Sequence, residues 1–538
     1  MNQRQDNSRN LIVFIIIAAL ILLVWNYLFP PPPPQQPVNQ PVASQAVDNT
    51  EKISNSRLIS VQTDMLNLHI DEASGDIRDL SFVKHNSTED ENKPFVLFEN
   101  SEKNTYIAQS GLINQADNQY VAVNFTADKP EYVMAGDTLS VKLTGQAENG
   151  LTVYKTYNFK QGSYLLDVDY RVENRSGSPV KLNAMYRLLR DDHKPAGGAY
   201  FTQTYTGPVL YTPDGKFEKV SFEDIAKGKA DFVKQTNTGW VGIIQHYFVS
   251  AWIMQPKNQA SVCGAKPCSP DFTKRSKDGL YSAGVLVPLP ELPANGVMNI
   301  PMKLYAGPQE YAALTQVADN FQLVKDYGKV HLFASPLFWL LQKLHSFVGN
   351  WGWAIVLLVI LVKIVLYPLN AASYKSMAKM RAVAPKLQEL KVLYVDDKMK
   401  QQQEMMALYK REKINPLGGC LPILIQIPVF LGLYWALLSS VELRQAPWIG
   451  WITDLARTDP YFILPIVMAG TMFLQTYLSP PPTDPMQAKM MKIMPVVFSV
   501  MFFFFPAGLV LYWVVNNILS IAQQWWINRQ IEKASVKA

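Results

Sequence analysis

The sequence predicts a multi-pass α-helical membrane protein carrying a large exported all-β domain. Three observations carry that expectation. Mean hydropathy is −0.01, as in an ordinary soluble chain, yet only 17% of the 538 residues are charged, against about 25% in typical globular domains. Long apolar runs are confined to the N-terminus and the last third. Between them, hydrophobic residues alternate with a period of two. The average therefore hides a greasy part and a polar part. The same composition excludes several classes. With 48% apolar residues the chain can bury a large core. A net charge of +6 at this length is thin for a nucleic-acid binder. Three cysteines rule out a disulfide-dense scaffold and a four-thiolate zinc site. The sequence has neither a phosphate loop ending in Gly-Lys-Ser/Thr nor a His-Glu-x-x-His motif. ATP hydrolysis in this chain is therefore not expected, and no cofactor, metal or catalytic residue is assigned.

Residues 1–29 hold the first expected span. Leu11 to Phe29 contains no charge and follows Arg4 and Arg9. About 20 apolar residues cross a hydrocarbon core of about 30 Å, whereas a cleaved signal has a shorter core of about 7–15. An uncleaved signal anchor with a cytoplasmic N-terminus is the expectation. Residues 30–56 begin with Pro30 to Pro34 and continue rich in Gln, Asn and Pro, which reads as a stiff stretch followed by a flexible tether. Residues 57–330 are the β domain. Tyr164, Leu166, Val168, Tyr170 and Val172 alternate with polar partners, as do Met298, Ile300, Met302 and Leu304, and turn signals such as Pro213-Asp214-Gly215 punctuate short runs. Many antiparallel strands in a sandwich follow. The domain ends in a helix over Glu310 to Tyr327, with Tyr311, Leu314, Val317, Phe321 and Val324 on one face. Cys263 and Cys268 lie in this exported part, where oxidation is available. They could close a small disulfide; two free thiols are the alternative. Residues 331–347 are too short and too polar to span, with Gln342, Lys343 and His345. They read as an interfacial amphipathic helix.

Residues 348–528 supply five further spans: Val348 to Leu369, Leu417 to Val441, Tyr461 to Leu478, Ile493 to Phe505 and Leu509 to Ala522. Pro506-Ala507-Gly508 separates the last two. Cys420 reads as a packed small residue in a span. Residues 370–416 read as an amphipathic helical hairpin turning at Asp396-Asp397, with Leu387, Leu390 and Leu393 facing Met399, Met406 and Tyr409. Its basic residues include Lys375, Lys379, Arg381 and Lys386. The excess of Lys and Arg places this segment, and the basic tail 529–538, in the cytoplasm. The nearly balanced loop from Glu442 to Pro460 then lies outside. Six spans with both termini inside leave residues 57–330 outside the membrane. A passive loop that only fixes topology is the alternative for the hairpin.

The remaining signal is polarity inside the spans. Lys363 sits about 6–9 Å from the cytoplasmic end of its span, at 1.5 Å per residue. An intramembrane cation is costly and is a functional candidate, although lysine can snorkel that distance to the headgroups. Gln426, Thr471, Gln475, Ser499, Asn516 and Asn517 lie in the other C-terminal spans. They either glue helices together or line a wet concavity open to one leaflet. Outside the membrane, Arg190-Asp191-Asp192-His193 is the dense titratable cluster. It offers acid and base to a carbohydrate-like substrate, or is a solvated loop. A small-molecule transporter is the other competing class, but the sequence lacks the internal repeat such folds show.

These residues resemble the YidC/Oxa-type membrane protein insertases. The segments that carry the likeness are Lys363 to Pro368, Tyr374 to Met380, Glu404 to Tyr409, Asn415 to Cys420, Val441 to Pro447 and Phe505 to Tyr512. The N-terminal anchor and exported β domain resemble the Gram-negative bacterial form. The resemblance implies a five-helix insertase core around a polar groove open to cytoplasm and lipid, and a periplasmic β-super-sandwich related to sugar mutarotases without their chemistry. It implies insertion of nascent membrane proteins into the inner membrane, alone or with the Sec translocon and its accessory subunits, without nucleotide hydrolysis. The groove residues would be Lys363, Gln426, Thr471, Gln475, Trp513 and Asn516. The hairpin residues Lys375, Lys379, Arg381, Lys386, Asp396 and Asp397 would meet client or ribosome, over membrane lipids. One position departs from the pattern: the groove cation is commonly Arg, and here it is Lys363. Lysine is a point charge without arginine's planar fork, so bidentate clamping of a carboxylate is not available to it.

Overall fold

The computed structural model describes residues 57–412, 421–478 and 485–537, apart from residues 88, 89, 91, 102, 194–204 and 276–278. The expected anchor and tether (1–56) and Cys420 lie outside the described residues. The chain divides into two compact units. One runs to Gly307 and includes Ala313–Val324; the other comprises Pro308–Ala312 and Lys325 onward.

The first unit is all-β, as the period-two pattern requires. Its strands are β1 (Leu58–Gln62), β2 (Leu66–Asp71), β3 (Ile77–Asn86), β4 (Pro94–Asn100), β5 (Thr105–Asn114), β6 (Val123–Ala127), β7 (Glu131–Val133), β8 (Thr138–Ala147), β9 (Leu151–Lys160), β10 (Leu165–Asn174), β11 (Leu182–Arg190), β12 (Thr206–Thr212), β13 (Lys216–Lys219), β14 (Trp240–Gln245), β15 (Phe248–Ile253), β16 (Ser269–Lys274), β17 (Tyr281–Pro288), β18 (Val297–Ile300) and β19 (Lys303–Pro308). Among the described residues they form a nine-stranded sheet, β16-β17-β11-β5-β4-β3-β2-β1-β7, and a ten-stranded sheet, β13-β12-β14-β15-β19-β10-β9-β8-β6 with β18 on β10. Most neighbours pair antiparallel, as β1 does with β2, whereas β1 and β7 run parallel. Burial alternates along β10, where Leu166, Val168, Tyr170 and Val172 are inside, because successive side chains leave a strand on opposite faces. Aromatic rings fill the interior: Phe82 stacks on Phe248 at 4.9 Å and Trp252 meets Tyr186 at 5.1 Å. A short helix, α1 (Phe222–Ala226), is capped by Ser221. The cysteine sulfurs of Cys263 and Cys268 are bonded at 2.08 Å. Cys268 also exchanges two backbone hydrogen bonds with Thr236 at 2.8 and 2.9 Å, which seats the closed loop beside β16.

The expected helix over Glu310 to Tyr327 is shorter than its pattern. Helix α2 (Tyr311–Val317) stops, and 3₁₀ turns follow at Phe321–Val324 and Gly328–Val330. Asn320 takes the left-handed conformation, φ 59°, which ends a helix and which asparagine tolerates. Leu314, Val317, Phe321 and Val324 are nevertheless all buried.

The second unit is helical: α3 (His331–Val348), α4 (Trp351–Val365), α5 (Tyr367–Leu393), α6 (Lys398–Arg411), α7 (Leu421–Leu438), α8 (Ile463–Leu478), α9 (Pro485–Phe502) and α10 (Ala507–Lys537). Gly349, at φ 67°, closes α3. Asn350 then opens α4: its side-chain oxygen accepts from Trp353 N at 3.1 Å while its amide donates to the carbonyls of Pro447 and Trp448. The expected span Val348 to Leu369 is broken at Leu366, and α4 and α5 meet at a 67° bend. Pro368 explains the break, since it lacks an N–H and clashes with the preceding turn. No single described helix is long and apolar enough to cross a membrane, whereas Trp351–Val365 with Tyr367–Met380 meets that test as a bent pair. Helix α10 continues through the expected tail to Lys537. Its first amides are satisfied by a neighbouring loop: Ala507 N donates to Arg457 O at 2.6 Å and Gly508 N to Leu455 O at 2.9 Å.

Each unit buries a lysine and pairs it. In the helical unit Lys325 is fully buried, donates to both Glu442 oxygens at 2.7 and 2.9 Å, and lies over Phe338. This ties the segment before α3 to the turn after α7. Burial lowers the Lys325 pKa, and Glu442 opposes that shift. In the β unit Lys155 on β9 is fully buried, 3.9 Å from Asp76, and donates to Ser110 O on β5 at 3.3 Å. Burial brings its pKa down to about 8 against the pull of Asp76 and Asp71. Between about pH 8 and 10 the unfolded chain therefore holds a proton that the folded chain has released, and stability rises with pH. Above about pH 10 the buried Tyr157 and Tyr170, whose pKa values are raised by burial, reverse the trend because the unfolded phenols ionise first. Lys155→Met is expected to abolish the rise between pH 8 and 10. Melting temperatures of wild type and variant across that window measure it, and parallel pH profiles would refute it.

Candidate functional site

Polar side chains of the helical unit converge on α10. This helix carries Tyr512, Trp513, Asn516, Asn517, Ser520 and Gln524. At 3.6 residues per turn these positions fall within an arc of about 140°. Three neighbouring helices bond to that arc. From α4, Lys363 Nζ donates to Ser520 Oγ at 2.7 Å. From α7, Gln426 Nε2 donates to Tyr512 Oη. Asn517 Nδ2 donates to Thr471 Oγ1 on α8 at 3.2 Å, and Gln524 Nε2 to Leu478 O at 3.1 Å. Ser520 passes its own proton to Asn516 O at 2.7 Å. Trp513 sits between Phe430 and Phe502, at 5.1 and 5.7 Å. Its indole N–H is buried and has no acceptor among the described residues.

Three of the expected groove residues are engaged pairwise with α10. Lys363, Gln426 and Thr471 each contact α10, but at different levels of it. Asn516 is buried and offers its backbone oxygen to Ser520. Gln475 lies one turn beyond Thr471 on α8 and is half-buried. Ser499 back-bonds to Pro495 O within α9 at 2.5 Å. Tyr512, Ser520 and Gln524 were missed by sequence reasoning. The available signal was a four-residue spacing, 512, 516, 520 and 524, of hydrogen-bonding groups in an apolar helix. Among the described residues no carboxylate lies within ion-pair distance of Lys363, which is part-buried.

The hairpin forms from α5 and α6. Asp397 caps α6 by accepting from Lys400 N at 3.0 Å, and Asp396 is exposed in the turn. Lys375 and Lys379 are exposed, and Lys386 donates to Glu412 at 3.1 Å. The Arg381 side chain lies outside the described residues. Of the expected facing residues, Leu387, Leu390 and Tyr409 do pack between the two helices. Val383 and Leu387 pack on Leu408 and Tyr409, with Met380, Leu390 and Met405 beside them. Leu393, Met399 and Met406 are exposed instead. The second helix presents the i, i+3, i+4 set 405, 408 and 409, so Met406 falls a quarter turn away. In the β unit, the Arg190 to His193 cluster is engaged structurally. Asp191 accepts from the backbone N–H groups of Thr105 and His193, at 2.5 and 2.9 Å, and Arg190 is buried against the Tyr106 ring. The acid–base expectation for that cluster gains nothing from this geometry.

Comparison with known proteins covers both units. The family model described as "60Kd inner membrane protein" matches residues 343–534, and that described as "YidC periplasmic domain" matches residues 58–340. The membrane protein insertase YidC of Neisseria gonorrhoeae is 60% identical over 88% of this chain and 88% of its own. That of Laribacter hongkongensis is 54% identical over 93% and 92%. A crystal structure of an active YidC insertase with its first transmembrane domain resolved aligns with 95% of this chain and 98% of its own, at 17% identity and a TM-score of 0.39.

The α10 contacts make a prediction independent of function. Tyr512→Phe leaves the part-buried Gln426 amide without its acceptor and should cost about 1–3 kcal/mol. Gln426→Leu with Tyr512→Phe should cost less than the two singles together. Thermal unfolding in detergent measures the cycle; additivity within about 0.5 kcal/mol would mean the two side chains do not interact.

Proposed function

This chain belongs to the YidC family of membrane protein insertases, and from that premise we propose that client segments enter the membrane along the polar face of α10. The activity is membrane protein insertion. A nascent segment carries polar groups that must cross a hydrocarbon core about 30 Å thick. Each such group loses its hydration there at a cost of a few kcal/mol. A one-sided polar groove open to the cytoplasm and to lipid shortens the dry path. Lys363 supplies positive potential at its entrance, and Gln426, Thr471, Gln475 and Asn516 offer exchangeable hydrogen bonds. The client's apolar helix then partitions into lipid at about 0.8 kcal/mol per buried CH₂. That release drives insertion without nucleotide, covalent intermediate or cofactor.

The observation that carries this reading is Lys363. It is a part-buried cation whose partner among the described residues is a neutral hydroxyl. Helix glue does not require a charge there, and a snorkelling lysine does not require Ser520. The same reading places six spans in the inner membrane with both termini cytoplasmic and the β unit periplasmic. The bent α4–α5 pair and the exposed apolar surfaces of α8 and α9, such as Ile466, Phe473, Val497 and Val500, support it. The basic hairpin receives client or ribosome at the lipid surface, and the Sec translocon and its accessory subunits are the further partners.

Photo-crosslinkers at positions 363, 426 and 513 are expected to capture a stalled nascent chain; crosslinks to lipid alone would sink the groove. Lys363→Ala is expected to slow insertion of clients with acidic translocated segments about tenfold, the effect of roughly one lost charged contact. Neutral clients should slow much less. Equal slowing of both would make the charge incidental.

A further inference from the structure

We propose that Ser520 is a positioning residue, one that holds Lys363 forward as an uncompensated cation and so sets the preference for acidic client segments. This rests on the groove reading above and names the device that keeps its charge available. Serine has one proton to donate and two lone pairs to accept with. Ser520 is buried, and its proton is committed to Asn516 O at 2.7 Å within its own helix. What it shows to α4 and α5 is therefore lone pairs only. Lys363 Nζ occupies one of them at 2.7 Å.

The back-bond to Asn516 thus turns an ambivalent hydroxyl into a fixed acceptor. A fixed acceptor orients an ammonium group without neutralising it. A carboxylate at the same position would hold the lysine more tightly and cancel its charge. An apolar side chain would release it to swing toward the headgroups. Lysine depends on such a holder more than arginine does, because its ammonium is a compact charge on a flexible four-carbon stem. Two of its three N–H donors remain for a client carboxylate, since Ser520 is the hydrogen-bond partner of Lys363 among the described residues. The site is a half-filled coordination shell rather than a closed ion pair.

The experiment compares insertion of two clients that differ only in the charge of the translocated segment, one acidic and one neutral, by the full-length chain in proteoliposomes. Ser520→Ala is expected to slow the acidic client about three- to tenfold and the neutral one far less. Ser520→Thr, which keeps the hydroxyl and its back-bond, should restore the acidic client. Ser520→Asp should bring the acidic client down to the level of Lys363→Ala. With Lys363→Ala already present, Ser520→Ala should add nothing. Melting temperature in detergent controls for folding, and Thr rescue separates positioning from loss of packing. Equal slowing of both clients by Ser520→Ala, or effects of the two alanine variants that multiply, would overturn the role of Ser520 while leaving the groove intact. If Lys363→Ala itself shows no preference between clients, the groove reading falls and this proposal falls with it.

Discussion

A polar group removed from water must find a partner, and the helical unit is organised by that constraint. Its apolar helices carry a few amides, hydroxyls and one lysine that would be costly if left alone. The solution is to send them to a common partner helix. Helix α10 takes a hydrogen bond from α4 and another from α7, and it donates one to Thr471 on α8. Its own N-terminal amides are closed by the loop at Leu455 and Arg457. Packing of the apolar faces is permissive, since many helix arrangements bury similar area. The polar pairs fix rotation and register along α10, because each can form at only one level of the helix.

The β unit meets the same constraint differently. There two of the buried cations, Lys155 and Arg78, are paired with carboxylates. Lys155 from one sheet reaches Asp76 and a β5 carbonyl of the other, while Arg78 and Asp71 pair at 3.2 Å on neighbouring strands of the first sheet. These contacts close on themselves and leave no charge on offer. On the groove reading proposed above, the two lysines do different work. Lys155 is a structural tie between sheets. Lys363 has a neutral partner and remains electrostatically open.

Much of this was legible in the sequence because it is written as periodicity. The alternation through Tyr164 to Val172 is the strand β10, whereas the break after α4 interrupts a run that reads as one apolar span. The residues that failed are instructive. Met399 and Met406 look apolar enough to face the partner helix, but phase along α6 selects Met405, Leu408 and Tyr409. Glu310 to Tyr327 keeps its helical burial pattern after the helix has stopped, because 3₁₀ turns place side chains on nearly the same face. At the site, composition revealed which residues are polar but not whom they meet. Lys363 and Ser520 are 157 residues apart, and nothing local to either announces the other. Recognition of α10 as the shared partner requires the tertiary arrangement.

That sequence separation has a consequence for biosynthesis. The partners of Lys363, Gln426 and Asn517 are separated by 157, 86 and 46 residues, and in each pair one member lies on the last helix of the chain. Synthesis runs from the N-terminus, so α4, α7 and α8 are all made before any of α10 exists. Until then Lys363 and Gln426 lack the groups that accept their hydrogen bonds in the finished molecule. The unit cannot reach its final state by adding one helix at a time; it is completed by a single late event when α10 docks. Truncation near the C-terminus therefore does more than shorten a tail. It leaves the earlier helices in the condition of an unfinished client, with polar groups exposed to lipid and no internal partner to receive them.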